Sequence, residues 1–151
     1  MQKKTTDELD AILDSMKPEQ YEAYVKDNSH EMIDDRKAFY YYMKDVIESK
    51  NIKLKDLYLF ADFSESMGSK ILSMEKHTSN RDNILRLCIA GHFTLVETNK
   101  ALKLYGMAPL YSRDARDVVI ILKIKERKYD LMQINQTLID SGFEPLIKEK
   151  K

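Results

Sequence analysis

The chain has 151 residues, 43% apolar and 33% charged, with 25 basic against 25 acidic residues. That apolar share supports a packed core in one domain with a small appendage and excludes disorder as the main state; zero net charge argues against a strongly cationic nucleic-acid binder. The one cysteine, Cys88, permits no internal disulfide, and no apolar run reaches the roughly 18 residues of a membrane span or follows the N-terminus at signal length, so a cytoplasmic protein without membrane contact is expected.

Charge is uneven along the chain. Residues 1–50 hold eight Lys/Arg against twelve Asp/Glu, whereas residues 51–111 hold eight against six and residues 112–151 nine against seven. The front is acidic, and the middle and end are mildly basic.

Nearly every segment has helical periodicity. Thr6-Asp7-Glu8-Leu9 opens a capped helix with Leu9, Ile12, Leu13 and Met16 on one face. Lys17-Pro18 stops it, and Pro18 opens the next helix, which carries Tyr21, Tyr24 and Val25. Asn28-Ser29-His30 is a break. A helix from about Asp35 to Lys50 has Phe39, Tyr42, Met43, Val46 and Ile47 as its apolar stripe. The elements then shorten: two turns over Lys53–Ala61, a tight connection at Asp62-Phe63-Ser64, and a helix from Glu65 to Met74. After a polar loop over residues 75–80 come helices over Arg81–Gly91, Thr94–Tyr105, Asp114–Arg127 and Tyr129–Ser141.

The last four helices form a repeat. "TLVETNKALKLYGMAPL" (94–110) aligns with "DLMQINQTLIDSGFEPL" (130–146), matching Leu95/Leu131, Asn99/Asn135, Leu102/Leu138, Gly106/Gly142, Pro109/Pro145 and Leu110/Leu146. At an offset one residue shorter, Arg81-Asp82 matches Arg116-Asp117, and Ile84, Leu85, Leu87 and Ile89 fall on Val119, Ile120, Leu122 and Ile124. The unit is a helical hairpin of about 35 residues, present twice. Each Gly-x-x-Pro-Leu ending marks a helix stop and return: glycine takes the left-handed residue, proline cannot continue the helix, and leucine folds back onto it. Asn99 and Asn135 fall inside the apolar stripes. A buried amide left unbonded costs about 1–3 kcal/mol, so each is expected to bind backbone groups of a neighbouring loop.

Two short helices joined by about three residues, with one helix before and two after, make the five-helix plan of a repressor-type DNA-binding domain. The second short helix would be the recognition helix. Ile71, Leu72 and Met74 would face the core, while Ser64, Ser66, Met67, Ser69 and Lys70 would face DNA bases and phosphates. Lys53, Lys55, Lys76 and His77 add phosphate-reaching cations. The run over residues 54–120 resembles small Cro/C1-type (XRE-family) regulators of Firmicutes. The resemblance rests on Asn80-Arg81-Asp82 after the recognition helix, the Gly-x-x-Pro-Leu-Tyr ending at Gly106–Tyr111, Arg116-Asp117 before the next helix, the closing Gly-x-x-Pro-Leu, and Tyr21-x-x-Tyr24. It covers about residues 18–147 and implies sequence-specific binding of double-stranded DNA in transcriptional regulation. The chain departs from that family in having no Gln, Asn or Arg in the recognition helix, in carrying Glu65 at its start, and in reading Glu75-Lys76-His77 where a basic loop is common. With four or five phosphate-reaching cations a monomer would bind weakly, so a homodimer is expected.

The expected organisation is therefore all-α. An N-terminal helical segment spans 1–34, a helix-turn-helix domain 35–111, a C-terminal hairpin 112–147 packed on that domain, and a frayed tail 148–151. His30, His77 and His92 lie far apart without partners at ligand spacing, so no metal or other cofactor is expected. Cys88 sits among Leu85, Leu87 and Ile89 as a small hydrophobe. Carboxylates are read as lying on solvated helix faces. Of Phe39–Tyr42 only Phe39 and Tyr42 share a face with Met43, which suits core packing. No enzyme is expected. The rival to a DNA binder is a protein-interaction module on the same scaffold, docking a partner through residues 6–27.

Overall fold

The computed structural model describes residues 4–20, 22–24 and 35–146. The segment read as a break at 28–30, the Tyr21 end of the Tyr-x-x-Tyr pattern and the tail 148–151 lie outside the described residues. The chain divides into two compact units, 1–34 and 35–151. Every regular element among the described residues is helical, and no helix among them is long and apolar enough to cross a membrane.

In the first unit, α1 spans Thr6–Asp14. Its N-cap Thr5 accepts the Glu8 amide on Oγ1 at 3.1 Å, satisfying one of the donors a helix start leaves free. None of its residues is buried. A 3₁₀ turn, Pro18–Gln20, follows.

The second unit holds α2 (Asp35–Ser49), α3 (Leu54–Phe60), α4 (Glu65–Leu72), α5 (Arg81–Ala90), α6 (Leu95–Leu104), α7 (Ala115–Lys125) and α8 (Leu131–Asp140). The helix starts follow side-chain caps: Ser64 for α4, Asn80 for α5, Thr94 with Glu97 as a capping box for α6, Asp114 for α7 and Asp130 for α8. One core joins them. Phe39, Met43 and Ile47 from α2, Leu57 from α3, and Ile71 and Leu72 from α4 close around α5, whose residues Ile84 to Ala90 are all buried. α2 packs on α4 and α6, and α3 packs on α4 and α5.

The helix ends follow one scheme. After α6 and α8, Gly106 and Gly142 stand at φ +82° and +84°, and the amide of the next residue reaches back to Leu102 O and Leu138 O at 2.8 Å. These are the bonds of a Schellman ending. The same closure occurs without glycine. Asn51, Asp62, His92 and Arg127 occupy the left-handed region after α2, α3, α5 and α7, and Met74 does so after α4. After the first three, an apolar residue (Ile52, Phe63, Phe93) supplies the return amide, to Ile47 O, Tyr58 O and Cys88 O.

The two hairpins α5–α6 and α7–α8 meet reciprocally. Arg81 forks onto Asp117 at 3.0 and 2.7 Å, and Arg116 forks onto Asp82 at 3.0 and 2.8 Å. α5 packs on α8, and α6 packs on α7. The hydroxyl of Tyr129, in the second turn, donates to the carbonyl of Phe93, in the first. A superhelical array would carry each residue one step in the same direction. Exchange of i with j′ and j with i′ is the signature of a two-fold relation. The repeat is thus folded back on itself. Its carboxylates correct the expectation of solvated faces: Asp117 is buried, because it closes this joint.

Within each hairpin the same arginine also holds its own return. Arg81 donates to Ala108 O and Pro109 O, and Arg116 to Glu144 O and Pro145 O. The repeated asparagines hold the returns from the other side. Asn99 Oδ1 accepts the Leu110 amide at 2.9 Å, and Asn135 bonds both the amide and the carbonyl of Leu146.

Candidate functional site

The connection between α3 and α4 is built from four residues. Ala61 caps α3, Asp62 takes φ +62°, Phe63 is buried, and Ser64 caps α4 by accepting the Met67 amide at 3.1 Å. The two helices approach closely because α4 carries Gly68 where α3 presents Tyr58; a Cβ at 68 would lie 2.4 Å from Tyr58 Cδ1. Burial raises the Tyr58 hydroxyl pKa above its ordinary value, against a lowering hydrogen bond from Ser69.

Arg86 of α5 closes the connection from below. Its guanidinium is fully buried, donates from Nε to Ala61 O at 2.9 Å and from Nη2 to Asp62 O at 2.5 Å, and lies 3.9 Å over the Phe63 ring. Nη1 reaches Asn83 Oδ1 at 3.2 Å. Burial lowers its pKa, and Asp62 and Asp82 pull the other way.

On α4, Ser66, Ser69 and Lys70 are exposed, as is the capping residue Ser64, and Glu65 is exposed in the first turn. Ile71 and Leu72 are buried. Met67 corrects the outward-facing expectation. It is half-buried and packs on the core, because position 67 stands four residues before the buried Ile71, on the same face of the helix. The helix also ends two residues earlier than its periodicity suggests, at Leu72, since Met74 already has φ +61°.

Lys53 is the N-cap of α3 and Lys55 sits in its first turn, both exposed. Beyond α4 the Lys76 amide donates to Lys70 O at 3.0 Å, which turns the loop back over the last turn of the helix. His77 stacks on Tyr105 with ring centroids 4.9 Å apart, and the Tyr105 hydroxyl accepts the Thr78 amide at 2.9 Å. Lys70, Lys76 and His77 are therefore drawn together around the C-terminal end of α4, while Lys53 and Lys55 stand on the neighbouring helix.

Sequence reasoning did not anticipate a cleft of about 1190 Å³ at the far end of α3, lined among others by Leu59, Phe60, His92, Arg127, Tyr129, Leu131 and Met132. Leu59 is 70% exposed, Phe60 56% and Met132 83%. His92 stacks on Tyr129 at 4.8 Å. α3 thus carries lysines at its start and bare apolar side chains at its end.

Among the described residues no three His, Cys, Asp or Glu side chains gather as a metal site. Cys88 is fully buried, and burial pushes its thiol far above the ordinary range, so it is no nucleophile. No family model, no curated protein and no solved structure matches the chain.

Proposed function

We propose that the chain is a sequence-specific DNA-binding regulator of transcription, with α4 as the recognition helix of a helix-turn-helix. The observation that carries this reading is the outward row of α4. A capped, eight-residue helix, propped on its neighbour by Gly68 against Tyr58, leaves Ser64, Ser66, Ser69 and Lys70 in solvent, with Lys76 and His77 at its end. Serines suit base edges and phosphates alike, and the cations supply the sequence-independent attraction. The resemblance to Cro/C1-type regulators points the same way. Glu65 in the first turn opposes phosphate at the helix start, so useful affinity calls for two copies on a two-part site.

The test is a fluorescence anisotropy titration of the full chain with duplexes selected from genomic fragments, at about 50 and 200 mM salt. Affinity falls steeply with salt, by a factor set by the phosphates neutralised, and Lys70→Glu abolishes it. Absence of binding at the lower salt rejects the proposal. A second reading, docking of a protein partner, is favoured by Leu59, Phe60 and Met132 standing bare around one cleft. No binding to duplex at either salt, with a protein partner held by the wild type and by Lys70→Glu but lost on Phe60→Asp, would support that reading instead.

A further inference from the structure

We propose that Arg86 is a positioning residue for α4: it fixes the angle at which the recognition helix is presented and so governs base discrimination, not phosphate attraction. This rests on the DNA-binding reading. Arg86 occupies a place where an apolar residue would suit the core, between Leu85 and Leu87, with nothing of its side chain in solvent. No carboxylate lies within ion-pair distance of it among the described residues. Its Nε and Nη2 are spent on the carbonyls of Ala61 and Asp62, and its plane on the ring of Phe63. These are three consecutive residues of the connection between α3 and α4. A helix end leaves its last carbonyls without partners, and a planar fork satisfies two of them in one fixed geometry, which an ammonium or a methylene chain does not. A buried ionic group is often worse for stability than an apolar replacement, and what this one does is hold three consecutive residues of the connection in one geometry.

The lever is short but sufficient. Eight residues of α-helix extend about 12 Å, so a swing of about 10° about the connection moves the far end of α4 by about 2 Å. Hydrogen bonds to base edges do not survive that displacement. Attraction to phosphates, which acts over about 10 Å at ordinary ionic strength, does.

The experiment compares the wild-type chain with Arg86→Lys and Arg86→Met, by anisotropy on a duplex selected by the wild type and on a random duplex, over a salt series. Hydrogen exchange of the free proteins is followed in parallel. Both variants melt cooperatively, exchange faster at the amides of residues 62–68 than the wild type while α7 and α8 are unchanged, and lose tenfold or more on the selected duplex. Their affinity for random duplex and their salt slope match the wild type. An equal loss on both duplexes, unchanged affinity for the selected duplex, or loss of the cooperative melt in both variants makes Arg86 an ordinary core residue and overturns the proposal. A wild type that binds neither duplex rejects the DNA reading. In that case the base-discrimination role falls with it, and a rise in exchange at 62–68 reports only that Arg86 holds the connection between α3 and α4.

Discussion

The two arginine–aspartate joints share one forked pairing and differ in the burial of the aspartate and in one backbone hydrogen bond, which makes a paired experiment possible. Asp117 takes three hydrogen bonds, from Arg81 Nη1, Arg81 Nη2 and the Tyr111 amide, and its side chain is 5% exposed. Asp82 takes the two from Arg116 and is 21% exposed. Removing one partner of a buried ion pair costs about 3–5 kcal/mol, because the remaining groups are left unpaired away from water. Arg81 retains Ala108 O and Pro109 O and reaches solvent, which places Asp117→Ala at the lower end, about 3 kcal/mol. At the other joint the carboxylate is already wetter and no backbone amide loses its acceptor, and Asp82→Ala costs about 1 kcal/mol. With a urea dependence of about 2 kcal/mol per molar, the midpoints fall by about 1.5 M and 0.5 M. Equilibrium urea unfolding, followed by helical circular dichroism, reads both. Equal shifts, or a larger one for Asp82→Ala, would refute burial of the carboxylate and its backbone bond as the deciding difference. So would a double variant, Arg81→Ala with Asp117→Ala, that merely adds the two single losses, since side chains in direct contact must couple.

Glu97 links the α6 capping box to Lys50, just past the end of α2, at 3.0 Å. Burial alone would raise its pKa, but the Thr94 amide and Lys50 outweigh it and hold the carboxyl below its ordinary 4.5. A depressed folded pKa stabilises above the unfolded value and is lost as pH falls through the folded one. Glu97→Gln is therefore less stable than the wild type at pH 7 and indistinguishable from it near pH 2; a gap that persists in acid refutes the assignment. Gly68→Ala drives a Cβ to 2.4 Å from the Tyr58 ring and costs about 1–3 kcal/mol despite alanine's better helix propensity. Gly142→Ala meets nothing within 4 Å and costs about 1 kcal/mol through its φ of +84° alone. In a Tyr58→Leu background the first thermal shift shrinks and the second does not; parallel behaviour of the two would contradict the distinction.

Much of the helical plan is legible because caps and stops are local chemistry. Thr94 with Glu97, the two Gly-x-x-Pro-Leu endings and the 36-residue spacing of Asn99 and Asn135 announce the hairpin twice. What they do not announce is a partner. Arg81-Asp82 and Arg116-Asp117 align as equivalents, and equivalence in sequence does not say whether each pairs at home or with its counterpart. Arg86 escaped because a charge on a helix is ordinarily solvated; the available signal was its place in a run of Leu85, Leu87, Cys88 and Ile89, where every neighbour is buried. Gly68 was a similar signal, since a glycine inside a helix marks a close approach. The left-handed endings at Asn51, Asp62 and His92 carry no glycine. Their trace is the apolar residue that follows each one, Ile52, Phe63 and Phe93. The cleft was out of reach because Phe60, His92 and Met132 lie decades of residues apart along the chain.

The back-folded repeat has a consequence for how this joint responds to dilution. When two separate chains meet through exchanged arginine and aspartate forks, the joint forms in proportion to their concentration and dissolves as the solution thins. Here residues 111–114 tether one half to the other, so the second half is always present at the high local concentration a short tether provides. The joint thus becomes a folding event in place of an association event. It holds as well in a single molecule as in a concentrated solution, and cutting the tether at Ser112–Arg113 would be enough to make it depend on concentration again.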